Sequence, residues 1–243
     1  MDWIQGERFV GLADNKRIFY CNTHDAPRFF VHPPKQEFIL ITHNSDHNVN
    51  YALLNKSPNN LIHWYAQNVD VVHPKVESIP IGLENNQWFR SLKKRDKMEA
   101  KLRTDRHYRN LVYMSHNIST NPKARKVPYE ILGEKPWVTS RKREFFDDYL
   151  DNMYNHTFMV SPTGGGIDCV RTWECLYMGT YPIEIRNANN QFYTDLPICF
   201  VDSWEEVTEE FLDNWLTENI NREWNMDKIY FEYWKNKICN HAE

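Results

Sequence analysis

The sequence predicts an α/β protein in which a strand-rich unit is followed, after a charged helix, by a doubly wound parallel unit. Three observations carry this. Short apolar runs bounded by Asn, Asp, Pro and His recur through residues 1–89. A charged segment interrupts them at 90–107. Over 108–243 apolar runs alternate with helical periodicities in the order strand, helix, strand, helix, strand, which is that of a sheet wound on both faces.

In the first unit the runs FVGLA, RIFYC, EFILITH, NLIHWYA, VDVVHP and SIPIGL have the β-branched and aromatic content of short parallel strands. RSLKKRDKMEAKLRTDRHYR is rich in helix formers and poor in apolar positions, so it reads as a solvated linker helix, with a basic surface for an anionic ligand as the alternative. NLVYMSHN then reads as a strand, NPKARKVPYEIL as a helix, WVTS as a strand and REFFDDYLDNMYNH as a helix. The strand TFMVSP, a glycine loop, the helix DCVRTWECLYM and the strands TYPIEI and PICFV follow. Ser203 and Glu206 form a capping-box spacing for a helix carrying Val207, Phe211 and Trp215 every four residues. The last helix, near MDKIYFEYWKNKI, has Ile229, Tyr230, Tyr233 and Trp234 on one stripe.

Composition excludes several classes. A net charge of -4 speaks against a protein that neutralises nucleic-acid backbones. No apolar run approaches the roughly 20 residues that cross a bilayer, and MDWIQGERF lacks the basic flank and apolar core of a signal peptide, so a cytoplasmic location is expected. Five cysteines without a CxxC pair point to reduced, mostly buried thiols. Cys169 and Cys175 are read as packing rather than as nucleophiles.

The chemistry concentrates in SPTGGGIDCVRTWECLYMGTYPI. A strand ends at Ser161, Gly164, Gly165 and Gly166 turn the chain, Asp168 stands at the expected N-cap and Gly179 closes the helix. Bare backbone at a helix N-terminus suits a phosphate. The spacing is neither GxGxxG nor GxxxxGK[ST], which disfavours a dinucleotide-dependent oxidoreductase and a P-loop enzyme. Arg171 and Glu174, three apart, share a helical face. Two readings stay open: Arg171 on a diphosphate with Glu174 on a ribose, or an i,i+3 salt bridge on a solvated helix.

GGGIDCVRTWECLYMGTYPIEI resembles the donor-binding signature of exostosin-like glycosyltransferases, with its R-x-x-E pair, glycine and following Pro-Ile. LVYMSHNISTNPKARK is similar to that group's first donor-domain strand and phosphate-side loop. The likeness spans roughly residues 108–205 and, more loosely, THNSDHNV, WYAQNVDVVHPK and SIPIGLENNQW. It implies two Rossmann-like domains of GT-B type, the N-terminal one reduced because the chain is short, with C-terminal helices packing back. The implied boundaries are an acceptor-side domain over 1–89, a linker helix over 90–107 and a donor-binding domain over 108–243. It also implies a UDP- or GDP-linked sugar as donor, a glycan or other hydroxyl acceptor and no cofactor. By the same resemblance Arg171 binds the diphosphate, Glu174 the ribose, and Ser115, Asn117 and Arg125 line the phosphate side, with Asp168 either capping the helix or reaching a sugar hydroxyl.

Inverting glycosyl transfer needs a base for the acceptor hydroxyl and positive charge for the departing diphosphate. Arg125 and Arg171 supply the charge. No Asp-x-Asp occurs in the chain, so a metal-independent mechanism is expected, with no metal ligands assigned. Asp46, in ITHNSDHNV after the strand EFILI, is the candidate base, its alternative being an Asx turn that caps the next helix. His43, Asn44 and His47 in the same stretch, and Asn86 and Trp88 after SIPIGL, are candidates for acceptor contact. His43 and His47 as a metal pair are disfavoured by the turn residues between them, and Trp88 either faces a sugar ring or plugs a hinge. A non-catalytic nucleotide- or glycan-binding module with the same cleft is the alternative to an enzyme.

Overall fold

The computed structural model, which describes residues 1–14, 16–87, 89–142 and 144–242, contains two larger parallel sheets and a two-stranded parallel ladder, Val49–Asn50 with Val69–Asp70. The chain opens with α1 (Gly6–Val10), β1 (Ile18–Asn22) and α2 (Ala26–Phe29), followed by β2 (Phe38–His43), β3 (Val49–Asn50) and α3 (Tyr51–Leu54). Next come β4 (Leu61–Ala66), β5 (Val69–Asp70), β6 (Val76–Ser78) and α4 (Phe89–Lys101). The second sheet is built from β7 (Val112–Ser115), α5 (Pro122–Leu132), β8 (Val138–Arg141), α6 (Phe146–Tyr154) and β9 (Phe158–Val160). It continues through α7 (Val170–Met178), β10 (Tyr181–Ile185) and β11 (Cys199–Val201), and the chain closes with α8 (Glu209–Asn219) and α9 (Phe231–Ala242).

The first sheet has the order β1-β2-β4-β6 and the second β11-β10-β9-β7-β8, every pairing parallel. The central strands β2, β7 and β9 are buried on both faces, as parallel strands under helices must be. In the second sheet Val112, Met114, Phe158 and Val160 pack toward α5 and α8, while Tyr113 and Met159 face α6 and α7. This period-two division puts α5 and α7 on opposite faces. The winding reverses between β7 and β9, the switch point beyond whose carboxyl ends ligands of such sheets bind.

One core joins the two sheets. Ile39, Ile41 and Tyr65 of the first share a cluster with Trp173 and Leu176 of α7 and with Trp234 and Ile238 of α9. The last helix therefore packs back on the first sheet, where Tyr65 Oη meets His241 Nδ1 at 2.9 Å. Tyr177 of α7 ties both chain ends together, accepting from Ile4 N at 3.0 Å and donating to Ile229 O at 2.6 Å. Tyr177→Phe is expected to lose about 1–3 kcal/mol, because a buried amide and a buried carbonyl lose their partner. Urea unfolding monitored by Trp fluorescence checks this.

Several expectations are corrected locally. FVGLA is not a strand: its first residues end α1, with Phe9 buried and Val10 exposed. In SIPIGL the strand is the preceding Val76–Ser78, because Pro80 cannot donate to a ladder and Gly82 turns at φ +65°. The linker helix ends at Lys101 rather than 107. Ser203 caps a short 3₁₀ turn, and Thr208 is the cap of α8, accepting from Phe211 N. Among the described residues no helix is long and apolar enough to cross a membrane.

Candidate active site

A cleft of about 1010 Å³ opens beyond the carboxyl ends of β7, β8 and β9 and is closed on its far side by residues of the first sheet's loops. Nine of the expected site residues line it: Asp46, Ser115, Arg125, Gly164, Gly165, Gly166, Asp168, Arg171 and Glu174. Its other walls include Lys94 of α4, Thr120, and Glu144, Phe145, Phe146, Asp148 and Tyr149 at the start of α6.

Arg171 and Glu174 do not pair. Tyr149 Oη donates to Glu174 Oε2 at 2.8 Å, and Glu174 is 8% exposed, which removes the reading of a solvated i,i+3 salt bridge. Burial pushes the Glu174 carboxyl above its ordinary range, with Tyr149, Lys94 and Arg171 pulling the other way. Arg171 reaches Cys169 Sγ at 3.6 Å through one amino group, while its Nε is buried without a partner. Arg125, itself buried, donates from Nε to Thr163 O at 2.9 Å and from one amino group to Asn117 O at 3.2 Å, and its other amino group lies 3.8 Å from the same sulfur. Two guanidinium groups thus flank the Cys169 thiol at the start of α7. Neither forms an ion pair with a carboxylate among the described residues.

The three glycines have a role that spacing alone did not show. A Cβ at Gly164 would lie 2.8 Å from the Arg125 guanidinium. At Gly165 it would overlap the Asp46 carboxylate, and at Gly166 the Asn68 amide. None of the three has a positive φ. The loop is bare so that side chains from the first half of the chain can approach it. Gly179, by contrast, closes α7 as expected, with φ +67° and its N–H on Cys175 O and Leu176 O.

Asp168 is not the helix cap; Cys169 occupies that position. Its buried carboxylate accepts from Ile81 N at 2.7 Å, Cys169 N at 2.8 Å and Trp173 Nε1 at 2.9 Å, fastening α7 to the first half of the chain. Burial pushes this carboxyl up to about 6 against those three donors. Asp46 caps nothing either. Asn50 caps α3, and the exposed Asp46 carboxylate stands against Gly165 without a hydrogen bond among the described residues.

Other expected residues lie off the cleft. Asn117 caps a 3₁₀ turn and serves Arg125 only through its carbonyl. Ser161 is buried, 2.9 Å from Thr172 Oγ1. His43 is closed off from any acceptor: its Nε2 bonds Pro80 O at 3.0 Å and its ring stacks on Phe9. Burial brings its pKa down to about 4. Asn44, in the left-handed region at φ +54°, donates to Tyr20 Oη and accepts from Asn85. His47 is exposed beside His24, Asn86 is exposed with its N–H on Glu7, and Trp88 lies outside the described residues. Lys94, Phe145 and Tyr149 were missed because the cleft wall they form comes from loops and helices distant in sequence.

A second pocket of about 230 Å³ lies behind the glycine loop, between Ser161, Glu184, Lys123 and Trp204. Glu184 accepts from Thr172 Oγ1 and from Asn190 Nδ2, and burial pushes its carboxyl up to about 7. The folded chain therefore holds this proton more tightly than the unfolded chain does. Stability from Glu184 is complete below the unfolded value of 4.5 and is lost as pH rises through about 7. The melting temperature is expected to fall from about pH 5 to about pH 7 in the parent and to fall less in Glu184→Gln, as read by differential scanning fluorimetry.

A scan against protein-family models and a search of curated proteins each found no match to this chain.

Proposed function

We propose that the protein is a GT-B-type glycosyltransferase whose acceptor half carries the four-stranded sheet, moving a sugar from a nucleoside-diphosphate sugar to a hydroxyl acceptor. The observation that carries this reading is the pair of guanidinium groups on the cleft wall, Arg125 and Arg171, neither of which forms an ion pair with a carboxylate among the described residues. Positive charge held in a partly desolvated cleft is costly unless an anion arrives. A diphosphate is the anion that two arginines beside a helix N-terminus suit.

In this reading the acceptor oxygen attacks the anomeric carbon as the bond to the β-phosphate oxygen breaks. The charge left on the diphosphate is taken up by Arg125 and Arg171. Asp46, whose carboxylate stands against Gly165 and makes no hydrogen bond among the described residues, takes the acceptor proton. Glu174, held by Tyr149, receives the ribose hydroxyls.

The test is release of nucleoside diphosphate from a panel of UDP- and GDP-sugars. Asp46→Asn is expected to lower turnover about 100-fold or more, within the range for loss of a general base, while leaving donor affinity within a few-fold of the parent. Tight donor binding with neither release nor transfer favours a non-catalytic binding module. Unchanged turnover in Asp46→Asn removes this residue as the base.

A further inference from the structure

One wall of the cleft carries an aromatic ring that folding does not account for. Phe145 is 84% exposed, the most exposed of the large apolar side chains described. It stands at the N-cap of α6, where Ser, Thr, Asp or Asn would satisfy a free N–H and a phenylalanine makes no cap bond. Its side chain contributes neither to a core nor to a cap bond, although its carbonyl accepts from Tyr149 N at 3.0 Å. It does line the cleft.

The ring's backbone is held in place. Glu144, just before it, accepts from Tyr113 Oη and from Asn152 Nδ2 at 2.8 Å. Phe146, just after it, packs into the shared core with its ring 6.0 Å from that of Tyr149. Asp148, one turn on, also lines the cleft, and its carboxylate has no hydrogen bond or ion pair among the described residues, whereas its neighbour Asp147 pairs with Lys97 at 2.6 Å.

Contacts connect the lining residues in pairs, and Arg171 and Glu174 lie one turn apart on α7. The Asp46 carboxylate meets Gly165, Arg125 and Arg171 meet at Cys169, Glu174 meets Tyr149, and Tyr149 meets Phe146 beside Phe145. Acceptor-side carboxylate, two cations, buried carboxylate and exposed ring match the sugar, diphosphate, ribose and base of a sugar nucleotide. We propose that Phe145 is the stacking platform for the nucleobase and that Asp148 selects guanine, a proposal that rests on the diphosphate reading above. A guanine edge offers N1–H and an exocyclic NH₂ side by side, matching the two acceptor oxygens of a carboxylate. Uracil offers one N–H between two carbonyls, which a carboxylate repels.

Isothermal titration of the full chain with GDP, IDP, UDP and pyrophosphate, for the parent, Phe145→Ala, Asp148→Asn and Arg171→Ala, tests this. GDP is expected to bind more tightly than IDP, which lacks the amino group, and more tightly than UDP. Phe145→Ala weakens GDP about 5- to 150-fold, the range for loss of a stacked base, and leaves pyrophosphate unchanged. Asp148→Asn brings GDP and UDP to within a few-fold of each other. Nucleotide binding that Arg171→Ala abolishes but Phe145→Ala leaves intact overturns the base assignment alone. Equal affinity of the parent for GDP and UDP overturns the guanine selection. If neither nucleotides nor pyrophosphate bind, the diphosphate reading falls and this one with it.

Discussion

Arg171→Ala is expected to weaken binding of the preferred nucleoside diphosphate about 100-fold or more while leaving the melting temperature at or slightly above that of the parent. A charge-assisted hydrogen bond contributes about 1.5–3 kcal/mol, and a guanidinium on a diphosphate makes two in parallel. Without ligand the side chain makes one long hydrogen bond, to Cys169 Sγ at 3.6 Å, its Nε is buried without a partner and it forms no ion pair among the described residues, so its removal breaks few bonds of the fold. Lysine at this position restores the charge but not the fork, and recovers only part of the affinity. A loss of affinity accompanied by a large fall in melting temperature indicates a structural role instead. Calorimetry and scanning fluorimetry on the same samples separate the two.

Gly166→Ala is expected to be among the most damaging single substitutions in the chain. The Asn68 amide that its Cβ would strike is fully buried, sits at φ +59°, donates to Ser45 O at 2.9 Å and accepts from Asp168 N at 2.8 Å. Neither the amide nor the loop can move without breaking those bonds. The loss is about 3 kcal/mol, combining overpacking with unpaired buried polar groups, and for a chain of this size that lowers the melting temperature by about 6–12 °C. Nucleotide binding falls with it, because Asp168 is what fastens the start of α7. Gly165→Ala provides the contrast. The obstructing atom there is the end of the exposed Asp46 side chain, which can swing aside, so stability is nearly kept while turnover falls. Equal melting temperatures for the parent and Gly166→Ala contradict this packing account.

The parts of the fold that are legible in the sequence are those fixed by local pattern. EFILITH, NLVYMSHN and TFMVSP become β2, β7 and β9 because their β-branched and aromatic runs are buried on both faces. Gly179 ends α7 because only its φ permits the turn. Of the site, Arg171 and Glu174 could be placed on one helical face from their spacing, but spacing could not say whether they pair. That depends on Tyr149, 25 residues away, which occupies Glu174. The glycine loop could be seen as a place of close approach, but the partners that approach it, Asp46 and Asn68, lie about a hundred residues earlier and leave no periodic trace. His43 looked available at a strand end and is sealed by Pro80 and Phe9 for the same long-range reason. Phe145 did leave a local sign: a phenylalanine where a helix with Asp147 and Asp148 in its first turn calls for a polar cap.

The central claim, that the guanidinium groups of Arg125 and Arg171 in this cleft receive the diphosphate of a sugar nucleotide, is tested most directly by titrating the intact protein with UDP, GDP and their sugar conjugates. Saturable binding of at least one nucleoside diphosphate, competed by its sugar conjugate and lost when Arg125 and Arg171 are both replaced by alanine, is the predicted result. Absence of binding by every member of the panel, or binding that survives the double replacement, contradicts it.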